Sequence, residues 1–297
     1  MAESGTLFIM LTGGEILLRT DFEEIYLYAR RLGLIVTVFT NGTLINERAA
    51  DLFARVPPRS VEVTLEGATA EVFEAVTQVR GSFEQCLRGI QLLRDKGVRT
   101  KVKTVLLTLN QHELPAIVEL AKTLRLSHRY DCTIWPRLDS GQGPYRYRLS
   151  PEMSLEFDLA DSMRTDERYK SGQKMVGFSA RRGQAVTCGA GFRAYHVDSA
   201  GNLSACMMMR EPSYNLLEMP FLEAWELLGE VRKIKRVKHT ECEDCFANNL
   251  CSQCAGWSQL VHNDYETPDS FVCSSGKMKL SRFGAGIKEP VLEGIYE

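Results

Sequence analysis

Leu7-Phe8-Ile9-Met10-Leu11-Thr12-Gly13-Gly14-Glu15 is a short apolar run that stops on two glycines and a carboxylate. Five apolar residues without alternation are the pattern of a parallel strand buried on both faces. The glycines let a ligand approach the backbone closely, and the neighbouring carboxylate is suited to receive an ammonium group. The same phrase recurs downstream. Residues 35–40 stop at Asn41-Gly42, residues 61–65 at Glu66-Gly67, and residues 101–108 before Asn110. Residues 129–135 read as a fifth strand before Pro136. Between these runs, helical spacing joins Phe22, Ile25, Tyr26 and Ala29, with Gly33 as the stop. It returns through Ala49, Leu52, Phe53 and Val56, through Phe83, Cys86, Leu87, Ile90 and Leu93, and through Leu114, Ile117, Val118, Ala121 and Leu124. Alternation repeated this often predicts an α/β fold with a parallel sheet and right-handed crossovers. Parallel sheets bind ligands at the carboxyl ends of their strands, where these stops fall. Singly, Asn41, Gly67 and Asn110 read as turn residues.

The 297 residues allow one large domain, or a large one with a small companion. With 44% hydrophobic and 25% charged residues, the composition is that of a soluble globular protein. A net charge of −2 gives no general pull toward nucleic acid or an anionic membrane, so neither is an expected partner. The early apolar run is too short for a signal peptide, which places the chain in the reducing cytoplasm. Disulfides are then disfavoured, and the odd count of nine cysteines agrees.

Seven of those cysteines lie in the last third: Cys188, Cys206, Cys242, Cys245, Cys251, Cys254 and Cys273. Seven thiols exceed one four-coordinate site and nearly fill two. Cys-x2-Cys serves zinc, iron–sulfur and redox sites alike, so the spacing leaves the metal open. A structural zinc knuckle of Cys242, Cys245, Cys251 and Cys254 is one reading.

Thr12-Gly13-Gly14-Glu15 after an apolar strand resembles the motif that contacts the methionine amino group in radical S-adenosylmethionine (radical SAM) enzymes. The tail resembles their SPASM extension: Cys188, twelve residues, Gly201-x4-Cys206, then Cys242-x2-Cys245-x5-Cys251-x2-Cys254, then Cys273. The spacing between Cys251 and Cys254 is one residue shorter than the family pattern. Thr64-Leu65-Glu66-Gly67, Gly81-Ser82-Phe83 and Lys103-Thr104-Val105-Leu106 are also similar to this family. The resemblance implies an incomplete (β/α) TIM-like barrel of parallel strands over residues 1–165. A connector over 166–185, a cysteine-rich SPASM domain over 186–280 and a tail over 281–297 would follow. It also implies two auxiliary 4Fe–4S clusters. Cys188, Cys206 and Cys254 match ligands of the first, and Cys242, Cys245, Cys251 and Cys273 the full set of the second. Some relatives complete the first cluster with an earlier cysteine; here Arg181 and Arg182 occupy that neighbourhood, leaving an open or non-cysteine position. Gly13, Gly14 and Glu15 would grip S-adenosylmethionine, with Thr64 near its ribose.

Many SPASM proteins modify peptides or proteins through a deoxyadenosyl radical, so such a substrate is expected, with an electron donor such as flavodoxin or ferredoxin. No general acid or base is identified. The family's Cys-x3-Cys-x2-Cys loop would precede Gly13, yet no cysteine stands before Cys86. Ala2-Glu3-Ser4-Gly5 reads as a last helical turn with a glycine cap, as though one βα unit were missing upstream. The strand at Leu7 would then lie at an exposed edge. A non-catalytic iron–sulfur scaffold or peptide-binding relative is the alternative.

Other residues have plainer readings. Cys86 and Cys132 read as core, and the five histidines keep no metal-ligand spacing. Arg232, Lys233, Lys235, Arg236 and Lys238 read as a solvated helix end, with an acidic peptide as the other occupant considered. Lys101 and Lys103 alternate on one strand face, read as pointing into the barrel; burying both is costly without partners, and a ligand role is the other reading.

Overall fold

The computed structural model describes residues 1–161 and 183–283, apart from His239, Glu243, Asp244, Asn248, Asn249 and Ser252. Arg181, Arg182, most of the expected connector and most of the expected tail lie outside the described residues. Two compact units are present: Met1–Ile134 with Tyr147–Leu149, and Trp135–Arg146 with the chain from Ser150 onward.

In the first unit, β1 (Phe8–Leu11), β2 (Ile35–Thr40), β3 (Ser60–Thr64), β4 (Thr100–Val105) and β5 (Ser127–Asp131) pair in parallel in that order. Helices α1 (Phe22–Arg31), α2 (Glu47–Arg55), α3 (Ala70–Thr77), α4 (Ser82–Asp95) and α5 (Leu114–Thr123) fill the crossovers. This is the incomplete (β/α) barrel. Its helix starts follow local chemistry: Asn46 Oδ1 accepts from Ala49 N at 3.0 Å, and Thr69 Oγ1 from Val72 N at 3.3 Å. Val36, Val38, Val61, Val63 and Val102 are fully buried between sheet and helices. Tyr26 stacks on Phe22, meets Phe53 edge-on at 5.4 Å between ring centroids, and donates its hydroxyl to Val56 O. Each such buried ring contributes about 1.5–3 kcal/mol.

Two strand expectations need correction. β1 is not buried on both faces: it is the terminal strand of the sheet, and Phe8 and Met10 are 58% and 53% exposed. Its apolar run has a ladder partner on one side among the described residues, β2. The fifth strand spans Ser127–Asp131 rather than 129–135. Thr133 N donates to Asp131 Oδ1 at 2.8 Å, so the side chain of Asp131 turns the backbone out of the ladder. At the start, Ala2–Ser4 does form a single helical turn, closed by Gly5 at φ 91°.

The second unit holds a three-stranded antiparallel sheet of β6 (His196–Val197), β7 (Asn202–Ser204) and β8 (Ser213–Asn215). Helices α6 (Pro151–Ala160), α7 (Phe221–Leu228), α8 (Ala255–His262) and α9 (Ser270–Phe283) accompany it. Its own core gathers Val186, Leu203, Met209, Ala224, Leu228 and Val231. Pro151 opens α6, with Ser150 Oγ accepting from Met153 N. That helix groups with the second unit rather than with a barrel ending at 165. Asp158, 2% exposed, meets Lys279 of α9 at 3.1 Å, and this buried ion pair ties the two helices together.

The closest approach inside the first unit is between α4 and the turn after β2. A Cβ on Gly89 would stand 2.2 Å from Gly42 O and 2.9 Å from Ile45 Cβ. Alanine favours a helix by about 1 kcal/mol over glycine, but here the obstacle is backbone, which cannot give way. We therefore expect Gly89→Ala to lower stability by about 1–3 kcal/mol. A urea midpoint equal to or above that of the wild type would show that α4 can move aside.

Candidate functional site

The carboxyl ends of the first four strands open onto a cavity of ≈ 280 Å³. After β1 it is lined by Thr12, Gly13 and Gly14, and at the end of β2 by Phe39, Thr40 and Asn41. Thr64 and Glu66 line it from β3, Lys103 from β4, and Phe73, Val76 and Thr77 from α3. Gly13 has φ 156°, a value that L side chains rarely adopt, and a Cβ on either Gly13 or Gly14 would meet nothing within 4 Å. The protein itself therefore does not require glycine at 14. The bare backbone leaves room for something else. Three of the four residues expected to hold a cofactor, Gly13, Gly14 and Thr64, are brought together here.

Glu15 is placed differently. Its Oε1 accepts from Leu17 N at 3.1 Å and Thr40 Oγ1 at 2.8 Å, and its Oε2 from Asn41 N at 2.8 Å. It is not part of the cavity wall. The carboxylate fastens the end of β1 to the end of β2, and so fixes the glycine turn.

Two charged side chains of the wall were not singled out together by their spacing. Lys103 Nζ lies 3.5 Å from the centroid of the Phe39 ring, a cation–π contact. Burial pulls its pKa down to about 8, and the Arg129 guanidinium acts in the same direction. Burial pushes the Glu66 carboxyl up to about 7, against the opposing hydrogen bond from Val105 N and the charge of Lys103. Asn110 holds this corner: its Oδ1 accepts from Leu107 N, and its Nδ2 donates to Glu66 O and Val105 O at 2.9 and 3.0 Å. The turn reading of Asn110 thus describes a real turn, one that also orients Glu66. Gly67 is a packing position, since a Cβ there would fall 2.6 Å from Phe73 N. Glu66 was signalled by a carboxylate directly after an apolar strand and by the family likeness of Thr64-Leu65-Glu66-Gly67; Phe39 gave no signal at all.

None of the nine cysteines, all of them among the described residues, is joined in a disulfide. Cys86 is fully buried, and burial pushes its thiol up to about 12, which suits a core role. In the second unit the thiols fall into two neighbourhoods. Burial raises the pKa of Cys254, and the charges of Cys206 and Cys188 beside it add to the rise. Burial likewise pushes Cys273 up to about 11, reinforced by Cys242, Cys251 and Cys245 and opposed by Lys277. Among the described residues no three His, Cys, Asp or Glu side chains form a group able to hold a single metal ion. Backbone N–H groups point at the sulfurs. Cys254 Sγ accepts from Trp257 N at 3.2 Å at the start of α8, Cys206 Sγ from Met209 N at 3.2 Å, and Cys251 Sγ from Gln253 N at 3.4 Å. Such donors favour the thiolate, the form that binds metal. Gly276 is required beside Cys251, for a Cβ there would lie 2.8 Å from Cys251 Cβ.

The profile of the Radical SAM superfamily matches residues 1–121, which hold the glycine turn and four of the strand ends described above. The chain belongs to the radical SAM superfamily. It is 26% identical over 291 residues to the AdoMet-dependent heme synthase of Methanosarcina barkeri, covering 89% of this chain and 82% of that one. It is 30% identical over 209 residues to the mycofactocin maturase MftC of Mycobacterium tuberculosis, covering 67% of this chain and 52% of that one. The fold matches the structure of native anSMEcpe with bound AdoMet and Kp18Cys peptide with a TM-score of 0.67, at 19% identity, over 93% of this chain and 83% of that one. In this radical SAM protein the second unit carries the SPASM cysteine pattern. Among the described residues no helix is long and apolar enough to cross a membrane.

The shifted carboxyl yields a pH signature. Between pH 4.5 and about 7 the folded protein keeps a proton on Glu66 that the unfolded chain releases. The contribution of Glu66 to stability therefore falls as pH rises through that interval, and stays low above it. Glu66→Gln keeps an acceptor for Val105 N without the charge. Relative to wild type, its urea midpoint should climb between pH 5 and pH 7 and level off above. A difference that does not change with pH would show Glu66 to be solvated.

Proposed function

We propose that the chain is a radical SAM/SPASM iron–sulfur protein whose SPASM unit holds two auxiliary 4Fe–4S clusters. The observation that carries this reading is the partition of the thiols. Cys254 feels Cys188 and Cys206, and Cys273 feels Cys242, Cys245 and Cys251. These are the two ligand sets that the SPASM pattern implies. The sulfurs also receive backbone N–H bonds, which tune cluster potentials. The zinc-knuckle reading groups Cys254 with Cys242, Cys245 and Cys251, a partition the thiol neighbourhoods do not favour.

The cavity residues fit S-adenosylmethionine. Gly13 and Gly14 leave backbone open to its methionine end, Lys103 offers a cation for its carboxylate, and Thr64 and Glu66 offer polar groups to a ribose. Phe39 and Phe73 supply apolar walls. When bound and reductively cleaved, this cofactor supplies a deoxyadenosyl radical that removes hydrogen from a substrate. Around it the chain's own residues have plain tasks: Glu15 fixes the glycine turn, Asn110 orients Glu66, and Phe39 seats Lys103.

A peptide or protein is the leading substrate class, supported by the likeness to a mycofactocin maturase and by a fold shared with a peptide-bound relative. A tetrapyrrole is the second, favoured by a specific observation: the similarity to heme synthases runs along 89% of this chain. Equilibrium dialysis of the protein against a peptide and against a tetrapyrrole, a binding readout that needs no turnover, separates the two. The 297-residue chain by itself, with Cys86 as its first cysteine, should release no deoxyadenosine under strong reductant; abundant product would overturn that expectation.

Reconstitution with ferrous iron and sulfide should load about eight irons and eight labile sulfides per chain. Cys273→Ala should lose about half of each while keeping the remainder. Colourless protein with stoichiometric zinc and no labile sulfide would end the cluster reading. At the cavity, Gly14→Ala should unfold like wild type, because its Cβ meets no protein atom. S-adenosylmethionine binding by equilibrium dialysis should nevertheless weaken about tenfold or more. Unchanged binding would mean that the cofactor does not approach this backbone.

A further inference from the structure

The basic run that the proposed function leaves unused borders the first thiol set. Ala185 N donates to Ile234 O at 3.0 Å, Arg236 N donates to Gly183 O at 3.2 Å, and the Arg232 guanidinium donates to Cys188 O. These bonds lay residues 232–236 beside residues 183–188, so Arg232, Lys233 and Lys235 run along the segment that ends at the exposed Cys188. Just beyond Cys188 a tight turn, with the N–H groups of Phe192, Arg193 and Ala194 all directed at Gly189 O, brings Phe192 and Arg193 back to the same place. The Phe192 ring is 57% exposed. The Arg232 guanidinium lies 4.9 Å from its centroid and that of Arg193 5.3 Å.

The result differs from a solvated helix end. Free guanidinium groups in water would spread apart by mutual repulsion. Here two are held against one aromatic ring that water alone would not order. Among the described residues neither Arg193 nor Arg232 has a carboxylate partner, while Glu230 is engaged by Lys233 at 2.6 Å. Arg236 does not belong to the patch: its side chain is 9% exposed and turns toward Glu266. An apolar aromatic centre with arginines around it is the composition of an interaction surface.

We propose that this patch, centred on Phe192, is the docking surface for an acidic one-electron carrier protein. The inference rests on the reading of Cys188, Cys206 and Cys254 as an iron–sulfur site. Charge selects an acidic partner. Position selects a carrier over an acidic peptide: the patch lies where the first thiol set reaches solvent, and a carrier must bring its own redox group close to what Cys188 holds. Its small size suits redox encounters, which are brief and bury under about 1,200 Å².

The test uses the full chain reconstituted anaerobically with iron and sulfide, a purified flavodoxin as probe, and surface plasmon resonance at about 20 and 300 mM salt. Wild type should bind with an association rate that falls steeply with salt. Arg193→Glu should slow association about tenfold or more at low salt, with iron content and visible absorbance unchanged. Phe192→Ala should shorten the lifetime of the complex with little effect on association. Flavodoxin binding that ignores both substitutions overturns the proposal. So does an acidic peptide that binds as tightly and displaces flavodoxin, which would make the surface a peptide site. A chain that takes up no iron overturns the cluster reading itself, a failure visible before any binding is measured.

Discussion

Crowded sulfur is the constraint that shapes the second unit. Burial raises the proton affinity of Cys254 and Cys273, and the charges of neighbouring thiols add to the rise at each. Such a crowd stays protonated or gathers around a positive centre, and N–H groups aimed at Cys206, Cys251 and Cys254 favour the second arrangement. Small residues and loops around the sulfurs follow from this. Gly276 exists to let α9 pass Cys251, and α8 begins at Cys254 because its sulfur takes the place of a capping oxygen.

The first unit obeys a different demand. Parallel strands leave unpaired backbone and glycine turns at one end, and the side chains placed there decide what that end can bind. Glu15 shows how the geometry is held: one carboxylate accepts three donors and locks two strand ends together. Asn110 does the same for β3 and β4. With the frame fixed by these two residues, Glu66 and Lys103 sit in a wall where burial draws both toward neutrality. A cavity that weakens its own charges before anything binds can regain them from a ligand of opposite sign.

Most of the architecture was legible in the chain. The strand ends and the helix stops rest on local rules of propensity and capping. Readings that needed knowledge of neighbours went astray. The run at Phe8–Leu11 has the composition of a strand buried on both faces, yet at the expected edge its Phe8 and Met10 are exposed, and Arg236, one of five cations in a polar run, points inward because Glu266 waits there.

The sequence by itself determined the family and the parallel α/β order, because each is encoded by residue type at short or fixed spacing. Only the tertiary structure decided that Glu15 is a strut, that Glu66 and Lys103 share a cavity with Phe39, and that Phe192 collects Arg193 and Arg232. Those facts depend on which residues from distant strands and turns come within a few ångströms of one another. Burial and electrostatic coupling act across space, and nothing in a linear spacing records them.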